Sequence, residues 1–140
     1  FTTNGFVTYT KGRTYDSDEP LSSIPPLFGQ FNINYTNKKL QIGTSLRFNS
    51  KKEISDFNFT EGIDNHDLTP IVNENAVEDV NKYFGSPSWV TFGFNSSFAF
   101  NENWKLQGVI SNLFDQHFRE FASGISAPGR NFSFSLITVF

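Results

Sequence analysis

The last ten residues run Asn131-Phe132-Ser133-Phe134-Ser135-Leu136-Ile137-Thr138-Val139-Phe140, so that nearly every even position is greasy and the final residue is aromatic. A terminal strand of period two that stops on Phe is the way transmembrane β-barrels of the outer membrane finish. It confines the chain to a sheet that meets lipid on one face and water on the other. No run approaches the roughly 18 consecutive apolar residues that a membrane-spanning helix needs, a test that strands are not subject to.

The same alternation recurs upstream. Leu27, Gly29, Phe31, Ile33 and Tyr35 interleave with Phe28, Gln30, Asn32, Asn34 and Thr36; after a turn at Asn37-Lys38, Leu40, Ile42, Thr44, Leu46 and Phe48 interleave with Gln41, Gly43, Ser45, Arg47 and Asn49. Val90, Phe92, Phe94, Ser96, Phe98 and Phe100 repeat the pattern before a turn at Asn101-Glu102-Asn103. About six antiparallel strands follow, over residues 1–11, 27–36, 39–49, 89–100, 104–112 and 131–140, in an all-β fold. The first is the least regular, because Phe6 falls on its wet face. Connections alternate between short and long, and barrels of the bacterial outer membrane keep short turns on the periplasmic side and long loops outside. The long ones, 11–26, 50–88 and 113–130, therefore belong to the outer surface.

Alternation alone does not separate a membrane barrel from a soluble barrel or sandwich, which packs its greasy face inward. The composition of the wet face separates them. It consists of Asn, Gln, Ser, Thr and Gly, with Arg47 and Lys105 as its main charges, whereas a soluble surface carries about 25–35% charged residues. The 18 Phe against no Cys and no Met concentrate the apolar content in rings, which favour strands and membrane interfaces. Trp89, Trp104 and Tyr35, close to strand ends, are expected at the headgroup level. A formal net charge of -3 argues against nucleic acid as a partner.

Six strands do not close a transmembrane barrel, whose smallest single-chain forms have about eight, and open strand edges in lipid are costly. Either more chain lies upstream or several copies pool strands. The start at Phe1, without Met or a signal segment, is read as a piece of something longer.

From Asn112 the sequence reads Asn112-Leu113-Phe114-Asp115-Gln116-His117-Phe118-Arg119-Glu120 and then Pro128-Gly129-Arg130 before the last strand. This resembles the closing segment of TonB-dependent outer-membrane receptors, in which an "NLFD", an aromatic with Arg, and a "PGR" recur in that order. The run Ile24-Pro25-Pro26-Leu27-Phe28-Gly29 looks like the start of an earlier strand in the same family. Phe118 stands where the family usually has Tyr.

The resemblance implies the last part of a barrel of about twenty-two strands, in a receptor that imports a scarce nutrient such as a ferric siderophore, haem, cobalamin or a glycan. It implies as partners outer-membrane lipid, the barrel-assembly machinery reading Phe132, Phe134, Leu136 and Phe140, the upstream strands and plug of the same receptor, and TonB through an N-terminal part this chain does not include. Two further readings stay open: an oligomeric outer-membrane anchor or adhesin, and a soluble β-sandwich binding a small apolar ligand.

Chemistry-bearing residues are few. Asp64, His66 and Asp67 are the candidates for a hard cation or metal chelate, although a solvated acidic loop has the same composition. Asp115 and Arg119 can pair to order their loop. Asp115, His117 and Ser123 are the residue types of a hydrolase triad, but no nucleophile motif surrounds them, and no enzymatic activity and no cofactor is expected.

Overall fold

The computed structural model describes residues 1–60 and 63–139. Glu61, Gly62 and Phe140, the last of the residues expected to be read in barrel assembly, lie outside the described residues.

Six strands form one antiparallel sheet: β1 (Thr2–Thr8), β2 (Phe28–Asn37), β3 (Leu40–Asn49), β6 (Trp89–Ala99), β7 (Trp104–Ser111) and β8 (Asn131–Thr138), each paired with its neighbour in the chain order of the long strands. A two-stranded ribbon of β4 (Lys52–Glu53) and β5 (Gly85–Ser86) lies in the connection between β3 and β6. This up-and-down order is what period-two segments joined by local turns produce, since each strand pairs with the segment that follows it. No helix among the described residues is long and apolar enough to cross a membrane, which says nothing about crossing by strands.

The first hairpin turns one residue later than expected. Asn37 belongs to β2 and pairs with Leu40, leaving Lys38-Lys39 as the two-residue loop. At the second hairpin the Asn101 carboxamide oxygen accepts the N–H groups of Asn103 and Trp104, both at 2.9 Å, so one side chain builds the reversal. Asn103 also exchanges hydrogen bonds with Val139, which fixes the end of β8 at the short-turn side.

The registers sort every strand residue onto a face. Phe31, Leu46 and Phe92 share one row of the greasy face, and Leu106 pairs with both Phe98 and Leu136 on the same side. This face stands open: Ile33 is 53% exposed, Phe132 57% and Phe134 76%. A sandwich requires a second sheet over such a face, and the described residues hold only the single six-stranded layer and the small loop ribbon. The opposite face carries the rows Asn4–Asn32–Ser45–Gly93 and Thr2–Asn34–Gly43–Asn95, tied by side-chain bonds such as Asn32 Nδ2 to Asn4 Oδ1 at 2.8 Å. Val109 and Ile137 are exceptions on this wet side, as are Phe6, Phe28 and Trp89 at its long-loop end, and Arg47 and Lys105 are the only charged residues in the six strands.

Among the described residues the buried apolar ones are Phe57, Trp89 and Phe118. None lies in the middle of the sheet. They sit at its long-loop end, where the three long connections meet.

Candidate functional site

The three loops, 9–27, 50–88 and 112–130, converge into one cap, and its centre is a buried ion pair. Lys52 Nζ donates to Asp64 Oδ2 at 2.9 Å and to the Ile24 carbonyl at 2.8 Å, with side-chain exposures of 5% for Lys52 and 0% for Asp64. The second Asp64 oxygen accepts the Ser23 N–H at 2.6 Å. The ammonium also lies 4.6 Å from the Phe57 ring centroid and 4.3 Å from that of Phe121. Charge, hydrogen bonds and rings together compensate its desolvation. The first loop supplies Ser23 and Ile24, the second Lys52, Phe57 and Asp64, and the third Phe121.

The ribbon delivers Lys52 to this position. Its return strand needs Gly85, whose φ is +85° and where a Cβ would run into the Lys52 carbonyl. Further ties join the loops: Asn58 Nδ2 donates to the Pro20 carbonyl at 2.9 Å, Asn65 Nδ2 to the Ala122 carbonyl at 2.6 Å, and Arg119 Nη1 to the Leu68 carbonyl at 2.7 Å. Where the cap meets the wall, Trp89 packs on Phe118 with centroids 4.2 Å apart, and Arg47 Nη2 donates to Glu120 Oε1 at 2.8 Å. A cleft of ≈ 330 Å³ between the second and third loops is lined by Asn65, Leu68, Trp89, His117, Phe118, Arg119 and Ser123 among others.

The metal candidates do not form a ligand set. Both Asp64 oxygens are engaged as above, Asp67 is exposed, and His66 Nε2 meets Asp79 Oδ2 at 2.7 Å with its ring held edge-on between Phe59 and Tyr83. No group of three His, Asp or Glu side chains among the described residues is placed to hold a metal ion.

The motif of the third loop is a brace. Asn112, at φ +49°, accepts the Gln116 N–H at 2.9 Å and donates to the carbonyls of Gln116 and Pro128 at 2.9 and 3.2 Å. Asp115, at φ +56°, accepts the Arg130 N–H at 2.7 Å, and a Cβ on Gly129 would come within 2.6 Å of the same carboxylate oxygen. Asn112 and Asp115 thus clamp the Pro128-Gly129-Arg130 segment at the entry to β8. Leu113 anchors its end by donating its N–H to the Phe92 carbonyl at 2.7 Å, and Phe114 lies edge-on to Phe92 on the greasy side.

The expected pairing of Asp115 with Arg119 gives way to these bonds, because Asp115 turns back onto the backbone while Arg119 reaches the second loop. Of the triad types, His117 and Ser123 line the same cleft, but Ser123 Oγ donates to the Ile125 carbonyl at 3.0 Å and Asp115 is spent on Arg130. Phe132, Phe134 and Leu136 sit on the open greasy face of the edge strand β8.

Trp89 departs from the interface position expected of it. Its pairing with Asn49 puts it on the wet face, where it is 8% exposed beneath the Arg47 guanidinium at 5.6 Å. Trp104 and Tyr35 lie on the greasy side, Trp104 directly after its turn and Tyr35 two residue pairs from the Lys38-Lys39 turn. Lys52 escaped sequence reasoning altogether, since nothing local distinguishes it from Lys51.

No family model matches the chain, and no curated protein matches it. Among solved structures it is similar to the copper transporter OprC, at 20% identity and a TM-score of 0.68, over 99% of this chain and 20% of the other. It is similar also to the siderophore receptor PirA from Acinetobacter baumannii, at 19% identity and a TM-score of 0.68, with the same coverage of 99% and 20%. The chain therefore has the fold of a segment of those proteins and spans about a fifth of their length.

Proposed function

We propose that this chain is the C-terminal part of the β-barrel of a TonB-dependent receptor in the bacterial outer membrane, forming about a quarter of a wall of some twenty-two strands. The observation that carries the reading is the single-layer sheet with an open greasy face, a wet face of uncharged amides and hydroxyls, and all long loops at one end. The fold shared with a copper transporter and a siderophore receptor supports this reading, as does the clamp of Asn112 and Asp115 on the Pro128-Gly129-Arg130 segment at the entry to β8.

In this reading the greasy face contacts outer-membrane lipid and the wet face lines the lumen. The edges of β1 and β8 pair with upstream strands. Phe132, Phe134, Leu136 and Phe140 are read by the barrel-assembly machinery, and the whole receptor imports a scarce nutrient using a plug and TonB. The loop cap contributes to ligand capture at the outer mouth. A barrel assembled from several copies is the competing arrangement.

The test is the intact mass of the native protein extracted in detergent from the outer-membrane fraction. A mass several times 15.9 kDa for one chain supports the receptor. A 15.9 kDa chain in a detergent-resistant oligomer supports the multi-copy barrel instead.

A further inference from the structure

The wet face breaks its own rule at the long-loop end. Over most of its height it presents Asn, Gln, Ser, Thr and Gly, yet the two rows nearest the cap read Thr8–Phe28–Asn49–Trp89 and Phe6–Gln30–Arg47–Thr91. Three aromatic rings thus stand on the watery side, checkered with Arg47, Gln30 and Asn49. Phe6 and Phe28 meet edge-on with centroids 6.0 Å apart, and Phe6 remains 52% exposed. Phe121 of the third loop completes a cleft of ≈ 300 Å³ with these residues. Trp89 is also packed on Phe118 of the cap, but among the described residues no ring of the cap pairs with Phe6 or Phe28, which meet each other.

Arg47 is the single cation of the six strands at this end, and its carboxylate partner, Glu120, is supplied by the third loop. The pair is 48% and 46% exposed, so an exchange of one carboxylate for another costs little. A guanidinium offers a planar fork that a second carboxylate accepts equally well.

We infer that this cradle is a subsite for a planar aromatic group bearing a carboxylate, whose ring lies among Phe6, Phe28 and Trp89 and whose acid replaces Glu120 on Arg47. Glu120 then acts as an internal occupant. Its release on ligand binding removes one of the contacts that hold the third loop to the wall, so that occupation of the lumen is signalled to the cap. This rests on the reading of the wet face as lumen.

The test uses the receptor in outer-membrane vesicles, with 2-naphthoate as the probe, vesicles lacking the receptor as blank, and equilibrium dialysis as the readout. 2-Naphthylmethanol keeps the ring without the charge, and cyclohexanecarboxylate keeps the charge without the aromatic ring. Saturable naphthoate binding is expected, weakened about tenfold or more by Arg47→Ala, the loss of a charge-assisted bond. Glu120→Ala is expected to tighten it about two- to fivefold, the worth of an exposed ion pair no longer competing. Arg47→Lys, which keeps the charge and the fold but loses the planar fork, is expected to fall between wild type and Arg47→Ala.

Equal binding of naphthylmethanol overturns the proposal and makes the cradle a seat for an apolar segment such as a plug loop. Insensitivity to Arg47, or weaker binding in Glu120→Ala, overturns it as well. A receptor that inserts in the outer membrane yet binds no naphthoate defeats this inference alone, whereas a protein absent from the outer membrane defeats the receptor reading with it.

Discussion

Replacing Asp64 by Ala removes one half of the ion pair at the centre of the cap. Both partners are buried, at 5% and 0% side-chain exposure, so solvent screening does not reduce the effect. Removing one member of such a pair costs about 3–5 kcal/mol, chiefly by leaving the other charge buried. Here Lys52 retains the Ile24 carbonyl at 2.8 Å and two rings, at 4.6 and 4.3 Å, and cation–π contacts of this sort are worth about 0.5–2 kcal/mol each. The Ser23 N–H loses its acceptor, which adds about 1 kcal/mol or more. A loss of about 3–4 kcal/mol in the local stability of the cap results.

Hydrogen exchange on the receptor in detergent reads it directly. Amides of the cap, such as Ser23 and Phe57, are expected to exchange about a hundredfold faster or more, while the amides of β2 and β3 hold their protection. A second variant, Lys52→Met with Asp64→Leu, removes both charges and is expected to recover most of the protection. Unchanged exchange in Asp64→Ala, or a double variant as loose as the single one, refutes the assignment of the ion pair as the joint of the cap.

The remaining predictions concern the closing loop and the two faces. Asn112→Ala removes an acceptor for Gln116 and a donor shared by Gln116 and Pro128, and loosens residues 112–130 by about 1–3 kcal/mol, measured by protease nicking of that loop. Gly129→Ala drives a Cβ against the Asp115 carboxylate and is expected to lower the yield of folded barrel, seen as loss of the heat-modifiable band in unheated gels. Phe134→Lys puts a charge on the open greasy face and is expected to cost about 2–4 kcal/mol toward the bilayer midplane. Asn32→Lys, on the wet face, leaves the folded yield near wild type.

The strands were legible because their information is local: a residue and its second neighbour suffice to show which face each occupies. The same logic put Phe6 on the wet face, an irregularity within β1 that the structure turns into one wall of an aromatic cleft. The cap was not legible, because its bonds join residues far apart in the chain and obey no period. Ser23 and Asp64 are 41 residues apart, and Lys52 and Asp64 are 12 apart.

Asp64 and His66 stood out in the sequence as metal-binding types, and the structure spends them on Lys52 and Asp79 instead. Asp115 was visible as a polar residue at a conspicuous place. That its partner is the Arg130 backbone rather than the Arg119 side chain depends on a left-handed backbone at Asp115, which composition does not announce. Trp89 lies at a strand end, but its parity sets it on the side of Thr91, where the cap covers it.

The central claim is that the greasy face lies in lipid and the opposite face in water. This chain has no Cys, so a cysteine introduced into it carries a spin label at a chosen position. Labels placed singly along β8 and β6 of the receptor in a bilayer report access to oxygen, which concentrates in lipid, and to a water-soluble nickel chelate. The account predicts period two: oxygen access at Phe92, Phe132 and Phe134, and chelate access at Asn95, Ser133 and Ser135. Chelate access at every position, or oxygen access on the amide face, would contradict it.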